Sequence, residues 1–180
     1  TSNPGRSVAT GFADGTNYFR VKTCDTGGCS STVEFIVKRD TTVPTVTSTT
    51  EDDADNFVTN GNTVTILSDG ADASSGINTC IAYWDTNTAY NTGETSLGDL
   101  GTDCDGSVTV PDSTDGAWYF CVRPLDNVGL SNYSCTNAVT YDETGPTGAV
   151  SINSAATYTT TAAVTLTLNA SDASPVTQMQ

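Results

Sequence analysis

The stretch Asp115-Gly-Ala-Trp-Tyr-Phe-Cys-Val122 repeats, about 101 residues later, the pattern of Asp14-Gly-Thr-Asn-Tyr-Phe-Arg-Val21. Both stretches follow an Asp-Gly pair and are rich in aromatic and β-branched residues, which is typical of a β-strand that leaves a tight turn. The matches continue along the chain at spacings of about 100 to 102 residues, and end with Asp72-Ala-Ser74 against Asp172-Ala-Ser174. A collinear series of this length indicates an internal repeat.

The repeat predicts how the chain is divided into domains. A period of about 101 residues is typical of a β-sandwich domain. We predict the C-terminal part of one unit at 1–43, a complete unit at 44–145 and the N-terminal part of a further unit at 146–180. Two arrangements follow. The chain is a window on a longer array, or the end pieces of neighbouring subunits pair between chains and form a head-to-tail filament.

The predicted fold class is all-β, with about seven strands in each unit. Thr and Val are abundant, several runs alternate apolar and polar residues, and Gly, Asn and Asp separate these runs. Phe120 and Val122 are expected to face the core, as are Phe19 and Val21 at the matching positions. The strands of the complete unit are predicted at 45–49, 62–68, 78–84, within 87–97, and at 106–110, 117–123 and 133–141.

The composition excludes several classes of function. There are 21 acidic and 6 basic residues, for a net charge of −15. Such a surface repels nucleic acid and anionic lipid, while it attracts divalent cations or simply keeps the protein soluble. The absence of histidine removes Ser-His-Asp and Cys-His catalysis and histidine-containing zinc sites. No pair of carboxylates is fixed across a cleft by the sequence, so we expect no enzyme.

Six cysteines without any Cys-x-x-Cys pair favour disulfides, and therefore an oxidising compartment. Six cysteines allow 15 pairings, and buried free thiols are the alternative. Cys121 and Cys135 are placed symmetrically about the turn at 126–130, so they face each other if that segment is a hairpin. Cys24 and Cys29 flank the matching turn of the first unit. This leaves Cys80 and Cys104 as the third predicted pair.

The motif resembles a known family. Asp14-Gly-x-x-Tyr-Phe-x-Val-x-x-x-Asp-x-x-Gly-x-Ser30, followed by Asp40-x-x-x-Pro44 and later by Ser171-Asp-Ala-Ser174, resembles the bacterial immunoglobulin-like repeats of large extracellular surface proteins and adhesins. The resemblance implies tandem immunoglobulin-like sandwiches that serve as stalks, adhesive modules or spacers, many of which bind calcium between domains. The chain departs from many such repeats by carrying disulfides.

Four carboxylates are candidate calcium ligands. In an immunoglobulin-type sandwich the loop between the second and third strands and the loop between the sixth and seventh strands lie at the same end. The incoming linker reaches that end as well. This brings together Asp40 from the linker, Asp69 and Asp72 from the first of these loops, and Asp126 from the second. Calcium prefers six to eight oxygen ligands, which carboxylates and turn carbonyls supply. The alternative is that each Asp caps its own turn through backbone amides.

A second acidic cluster is expected at the opposite end of the complete unit, either as another junctional site or as a solvated loop. Its members are Glu51, Asp52, Asp53 and Asp55, with Asp112, Asp115, Asp142 and Glu143 nearby.

Two further features are candidates for glycosylation and for sugar binding. Asn132 and Asn169 begin glycosylation sequons. Four aromatic residues present either a sugar-stacking face or ordinary core packing; these are Tyr83, Trp84, Tyr90 and Trp118.

We therefore predict a structural or adhesive segment of a secreted, cell-surface or extracellular fibre protein, with calcium at its junctions. The alternative is a carbohydrate-binding or accessory module of a secreted enzyme. The expected partners of this chain are neighbouring immunoglobulin-like units or identical subunits, together with surface glycans or proteins. No nucleic acid and no membrane insertion are expected.

Overall fold

The computed structural model describes residues 11–178, and these residues form an all-β protein, as predicted. The first ten residues of the predicted segment 1–43 and the last two of 146–180 lie outside this range. Residues 11–178 contain no α-helix, and no helix within them has the length and apolar character needed to cross a membrane. The strands are β1 Gly15–Val21, β2 Cys24–Asp25, β3 Gly28–Cys29, β4 Val33–Arg39, β5 Thr45–Glu51, β6 Phe57–Val58, β7 Thr63–Ala71, β8 Ile77–Asp85, β9 Thr95–Gly101, β10 Gly106–Thr109, β11 Gly116–Asp126, β12 Ser134–Cys135, β13 Val139–Tyr141, β14 Thr147–Ile152 and β15 Leu166–Ser171, and a 3-10 helix spans Asn153–Ala155.

Residues 44–145, which we call the central segment, contain two sheets around one core. One sheet has the strand order β10-β7-β5, and the other has the order β6-β13-β11-β8-β9, with β12 beside β11. Neighbouring strands are antiparallel, except that β6 runs parallel to β13. Apolar side chains alternate along the strands, so each sheet buries one face against the other.

The core is built from β-branched and aromatic side chains of both sheets. Trp84 is 1% exposed and its ring packs on Phe120, with centroids 4.7 Å apart, and on Trp118 at 5.2 Å. The Trp84 indole N–H donates to the Ser113 hydroxyl at 2.8 Å, which satisfies its buried polar atom. Phe120 and Val122 lie in the core, as predicted. The buried cluster comprises Val58, Val64, Ile66, Cys80, Ala82, Trp84, Cys104, Val108, Val110, Phe120, Val122, Val139 and Tyr141.

Two predicted strands differ from the observed ones. The strand predicted at 133–141 is split into β12 and β13, because the Thr136 hydroxyl accepts the Phe120 N–H where a backbone carbonyl would continue the ladder. The strand predicted within 87–97 begins only at Thr95. Asn87 and Asn91 side chains bond to backbone groups of the intervening loop and hold it out of the sheet.

The chain on each side of the central segment forms a separate hairpin. In the N-terminal hairpin β1 pairs with β4, and β2 pairs with β3 at its tip. In the C-terminal hairpin β14 pairs with β15. The prediction that Phe19 and Val21 fill a core is wrong for the described residues: Val21 is 56% exposed and Phe19 is only partly buried. No second sheet covers β1 within residues 11–178.

Three disulfides join the same pairs that the sequence predicts, Cys24–Cys29, Cys80–Cys104 and Cys121–Cys135. Cys121 lies directly opposite Cys135 in the β11–β12 ladder, and Cys24 lies opposite Cys29. The Cys80–Cys104 bridge is fully buried and approaches Gly70 so closely that a Cβ there would collide with the Cys104 sulfur. Three disulfides indicate an oxidising, non-cytoplasmic location.

Candidate metal centre

Three carboxylates converge at one end of the central segment. Asp40 follows β4 in the linker, Asp72 follows β7, and Asp126 is the last residue of β11. One carboxylate oxygen from each residue lies within 4.8 Å of one from each of the others. We call this group the carboxylate cluster. It joins the linker to two loops of the central segment.

Asp72 is fixed by the loop that it precedes. Its Oδ1 accepts backbone N–H groups from Ser74 at 3.0 Å, Ser75 at 2.7 Å and Gly76 at 2.8 Å. Asp and Asn favour such turns because the short side chain reaches the amides of the next residues. The carboxylate is therefore held rigidly by its own backbone.

Asp126 is held in the same way by the turn after β11. Its Oδ1 accepts the N–H groups of Val128 at 2.9 Å and Leu130 at 2.8 Å. The neighbouring Asn127 amide donates to the Ser75 carbonyl at 2.8 Å, so this turn is tied to the Asp72 loop. The two carboxylates are consequently positioned before any ligand arrives.

Asp40 completes the cluster from the linker. Its Oδ1 accepts the Thr42 N–H at 2.9 Å. The nearby Ser75 hydroxyl, followed by the Thr42 N–H, lowers the pKa of Asp40 below its ordinary value. This carboxyl is therefore ionised at neutral pH and ready to bind a cation.

The second oxygen of each carboxylate has no partner. The Oδ2 atoms of Asp40, Asp72 and Asp126 are buried from solvent without a hydrogen bond. Asp126 as a whole is only 1% exposed. Buried charged groups normally have a hydrogen-bond or ionic partner, because desolvation without one is costly.

No basic side chain compensates the cluster within residues 11–178, where the ion pairs are Arg20–Glu34 and Arg39–Asp14. Three converging carboxylates with free buried oxygens form a hard-oxygen site of the kind that divalent cations prefer. The Oδ1 atoms cap the local turns, as the alternative interpretation of these aspartates expects, whereas the Oδ2 atoms have no hydrogen-bond partner.

Asp69, the fourth predicted ligand, lies outside the cluster. It is exposed on β7, where its carbonyl accepts the Thr47 hydroxyl at 3.4 Å. The sequence places Asp69 and Asp72 in one loop, whereas β7 continues to Ala71 and leaves only Asp72 beyond the strand end. Strand length decides which aspartate reaches the linker.

The second acidic cluster has a different character. Asp52 accepts the Thr65 N–H at 2.7 Å, and this bond lowers the pKa of its carboxyl. Asp115 accepts the Thr144 hydroxyl and also the Glu143 N–H at 2.9 Å, and these bonds lower the pKa of its carboxyl. These carboxylates therefore hold loops together. None of them belongs to the carboxylate cluster of Asp40, Asp72 and Asp126, which is the group of converging acidic side chains found within residues 11–178.

Asp53 is the member of this second cluster whose negative charge is unfavourably placed. Its Oδ2 is buried without a partner, and burial, followed by the adjacent Asp55, raises the pKa of its carboxyl. A raised folded-state pKa means that ionised Asp53 opposes folding, so this penalty appears as the pH rises through the folded-state pKa.

We expect Asp53→Asn to raise the melting temperature at pH 7, because the amide carries no charge to bury and none to repel Asp55. The gain should vanish as the pH falls below the unfolded-state pKa of about 3.8, since both proteins then carry a neutral side chain there. Thermal melts between pH 3 and pH 8 measure this. Exposed Asp103→Asn is the matched control, and a gain that persists unchanged at pH 3 would contradict the assignment.

The aromatic residues fall into two groups. Trp84 and Trp118 stack in parallel against the core, so the Trp84 ring presents no face to solvent. Tyr83 and Tyr90 instead meet Tyr133 on the outer side, with ring centroids 5.2–6.2 Å apart. Burial, followed by the Asp85 charge, raises the pKa of Tyr133. A sugar-stacking surface built on both tryptophans is therefore not available.

Both sequon asparagines, Asn132 and Asn169, are exposed. Their side chains are accessible on the surface, as glycosylation requires.

No known family model matches the chain, and none of the curated proteins matches it in sequence. The carboxylate cluster lies where a linker enters a two-sheet domain.

Proposed function

We propose that this chain is a structural segment of a secreted cell-surface or extracellular fibre protein, built from tandem immunoglobulin-like units whose junctions are stiffened by calcium. The convergence of Asp40, Asp72 and Asp126 carries this proposal. A cation bound to all three would tie the linker to the central segment and restrict the angle between consecutive units.

The strand arrangement supports the immunoglobulin-like interpretation. In that fold the first, second and fifth strands share one sheet, and the third, sixth and seventh share the other. Strands β5, β7 and β10 share one sheet here, and β8, β11 and β13 share the second. Strand β9, which corresponds to the fourth strand of the immunoglobulin fold, pairs with β8 and therefore belongs to the second sheet here.

The disulfides and the surface chemistry support an extracellular role. All six cysteines are paired, which suits an oxidising environment. The net charge of −15 keeps the surface hydrated and favours cations over nucleic acid. The absence of histidine removes the commonest acid–base catalyst, which agrees with a structural role.

Calcium is the cation that this chemistry favours. The site offers carboxylate oxygens only, whereas zinc and other transition metals favour histidine or thiolate ligands. Calcium takes six to eight oxygen ligands, of which the three carboxylates would supply the anionic ones and backbone carbonyls or water the remainder. A ligand that binds only the folded protein stabilises it by mass action.

Calcium at about 100 times its Kd is expected to stabilise the central segment by about 2.7 kcal/mol, a shift in Tm on the order of 10 °C. Asp126→Asn should abolish this shift, because the amide replaces an anionic ligand by a neutral group. In EDTA the variant should melt no lower than the wild type, since Asn still accepts the Val128 and Leu130 N–H groups and relieves repulsion between the carboxylates. Calorimetry with calcium and with EDTA measures both effects.

Asp69→Asn is the matched control, because it makes the same charge change outside the cluster. It should keep the full calcium shift. A wild-type shift below about 1 °C at millimolar calcium, or equal shifts in the Asp126 and Asp69 variants, would argue against the site.

A further inference from the structure

The C-terminal hairpin exposes an apolar face. Val150 lies opposite Leu168, and Ile152 lies opposite Leu166, so four large side chains share one side of the β14–β15 ladder. Each of them is 49–64% exposed. A contiguous apolar patch of this kind on a polar, Thr-rich surface marks an interaction site.

The N-terminal hairpin exposes a second apolar face. Phe19 lies opposite Phe35, and Val21 lies opposite Val33, on the same side of the β1–β4 ladder. Phe35, Val21 and Val33 are 55–60% exposed. Val37 continues the same face and is 50% exposed.

The central segment shows what covers such faces. By the sequence correspondence, Leu166 matches Ile66, and Val21 matches Val122. Ile66 and Val122 are 0% exposed, and they belong to opposite sheets of one shared core. The two hairpins therefore carry the two halves of the interface that closes the central segment.

We infer that the C-terminal hairpin of one copy packs on the N-terminal hairpin of a second copy of this chain. In this packing each hairpin strand takes the place of one strand of the central segment: β14 that of β5, β15 that of β7, β1 that of β11 and β4 that of β13. The contact is heterologous, so it propagates into an open chain of subunits.

Sedimentation equilibrium of the full chain from about 10 µM to 1 mM tests the inference. The average mass should rise with concentration above the 18.6 kDa of one chain. Leu168→Asp disrupts the apolar face of the C-terminal hairpin, and Phe35→Asp disrupts that of the N-terminal hairpin. Both side chains are exposed and lie outside the central segment, so the central segment should keep its melting temperature. Each variant alone keeps one face but offers no complementary face to it, so it should stay at 18.6 kDa.

A mixture of the two variants gives the decisive result. Phe35→Asp keeps an intact C-terminal face and Leu168→Asp keeps an intact N-terminal face, so an equimolar mixture should form dimers and nothing larger. A wild-type chain that stays monomeric at 1 mM, or a single variant that still assembles like the wild type, would overturn the inference.

Discussion

Trp84→Ala is expected to lower the free energy of unfolding of the central segment by about 3–5 kcal/mol, the usual range for removing a buried tryptophan. Domains of this size are stable by only about 5–15 kcal/mol, so the variant should be close to unfolding. The size of the effect follows from the position of Trp84, which is 1% exposed near the C-terminal end of β8 and packs in the core.

Three aromatic contacts are lost with this side chain. Phe120 and Trp118 lie 4.7 Å and 5.2 Å from the Trp84 ring, and Tyr141 lies at 6.5 Å, so both β11 and β13 lose their packing partner. The Ser113 hydroxyl also loses the indole donor. A close-packed core collapses only partly around such a void, which adds a cavity cost to the lost hydrophobic burial.

Urea denaturation followed by circular dichroism measures this effect without depending on tryptophan fluorescence. Tyr158→Ala is the matched control, since Tyr158 is 91% exposed and its removal should change stability by less than about 0.5 kcal/mol. A loss below about 1 kcal/mol for Trp84→Ala would contradict the two-sheet core described above.

The double replacement Cys80→Ala with Cys104→Ala is expected to cost about 3–4 kcal/mol. The bridge closes a loop with a sequence separation of 24, and the chain-entropy estimate for such a loop falls in this range. Both cysteines are 0% exposed and belong to the core cluster, so lost packing adds to the entropic effect.

Removing the Cys24–Cys29 bridge provides the comparison. Its loop has a separation of 5 and lies in the exposed N-terminal hairpin, so the Cys24→Ala, Cys29→Ala protein should unfold its central segment at the wild-type urea midpoint. Equal losses from the two double variants would show that the buried bridge has no special role in the core.

The pattern of the sequence was sufficient for the local features of the fold. Alternation of apolar and polar residues placed Phe120 and Val122 in the core, because side chains of a strand point alternately to its two faces. Hairpin symmetry identified the partner of Cys121, since residues at equal distance from a turn face each other. Both are short-range consequences of chain geometry.

The strand ends and the covering of faces could not be predicted in the same way. Thr136 interrupts a strand only because its hydroxyl meets the Phe120 N–H across the sheet. Val21 repeats Val122 in sequence, yet one is 56% exposed and the other 0%, because burial depends on whether a second sheet lies opposite.

The carboxylate cluster illustrates both sides of this division. The sequence by itself determined the all-β class, the repeat and the aspartates that favour turns, since these depend on residue type and spacing along the chain. Only the tertiary structure selected Asp40, Asp72 and Asp126 and left Asp69 outside. The physical reason is that a cation site needs oxygens a few ångströms apart, and that distance is set by where strands end and loops meet.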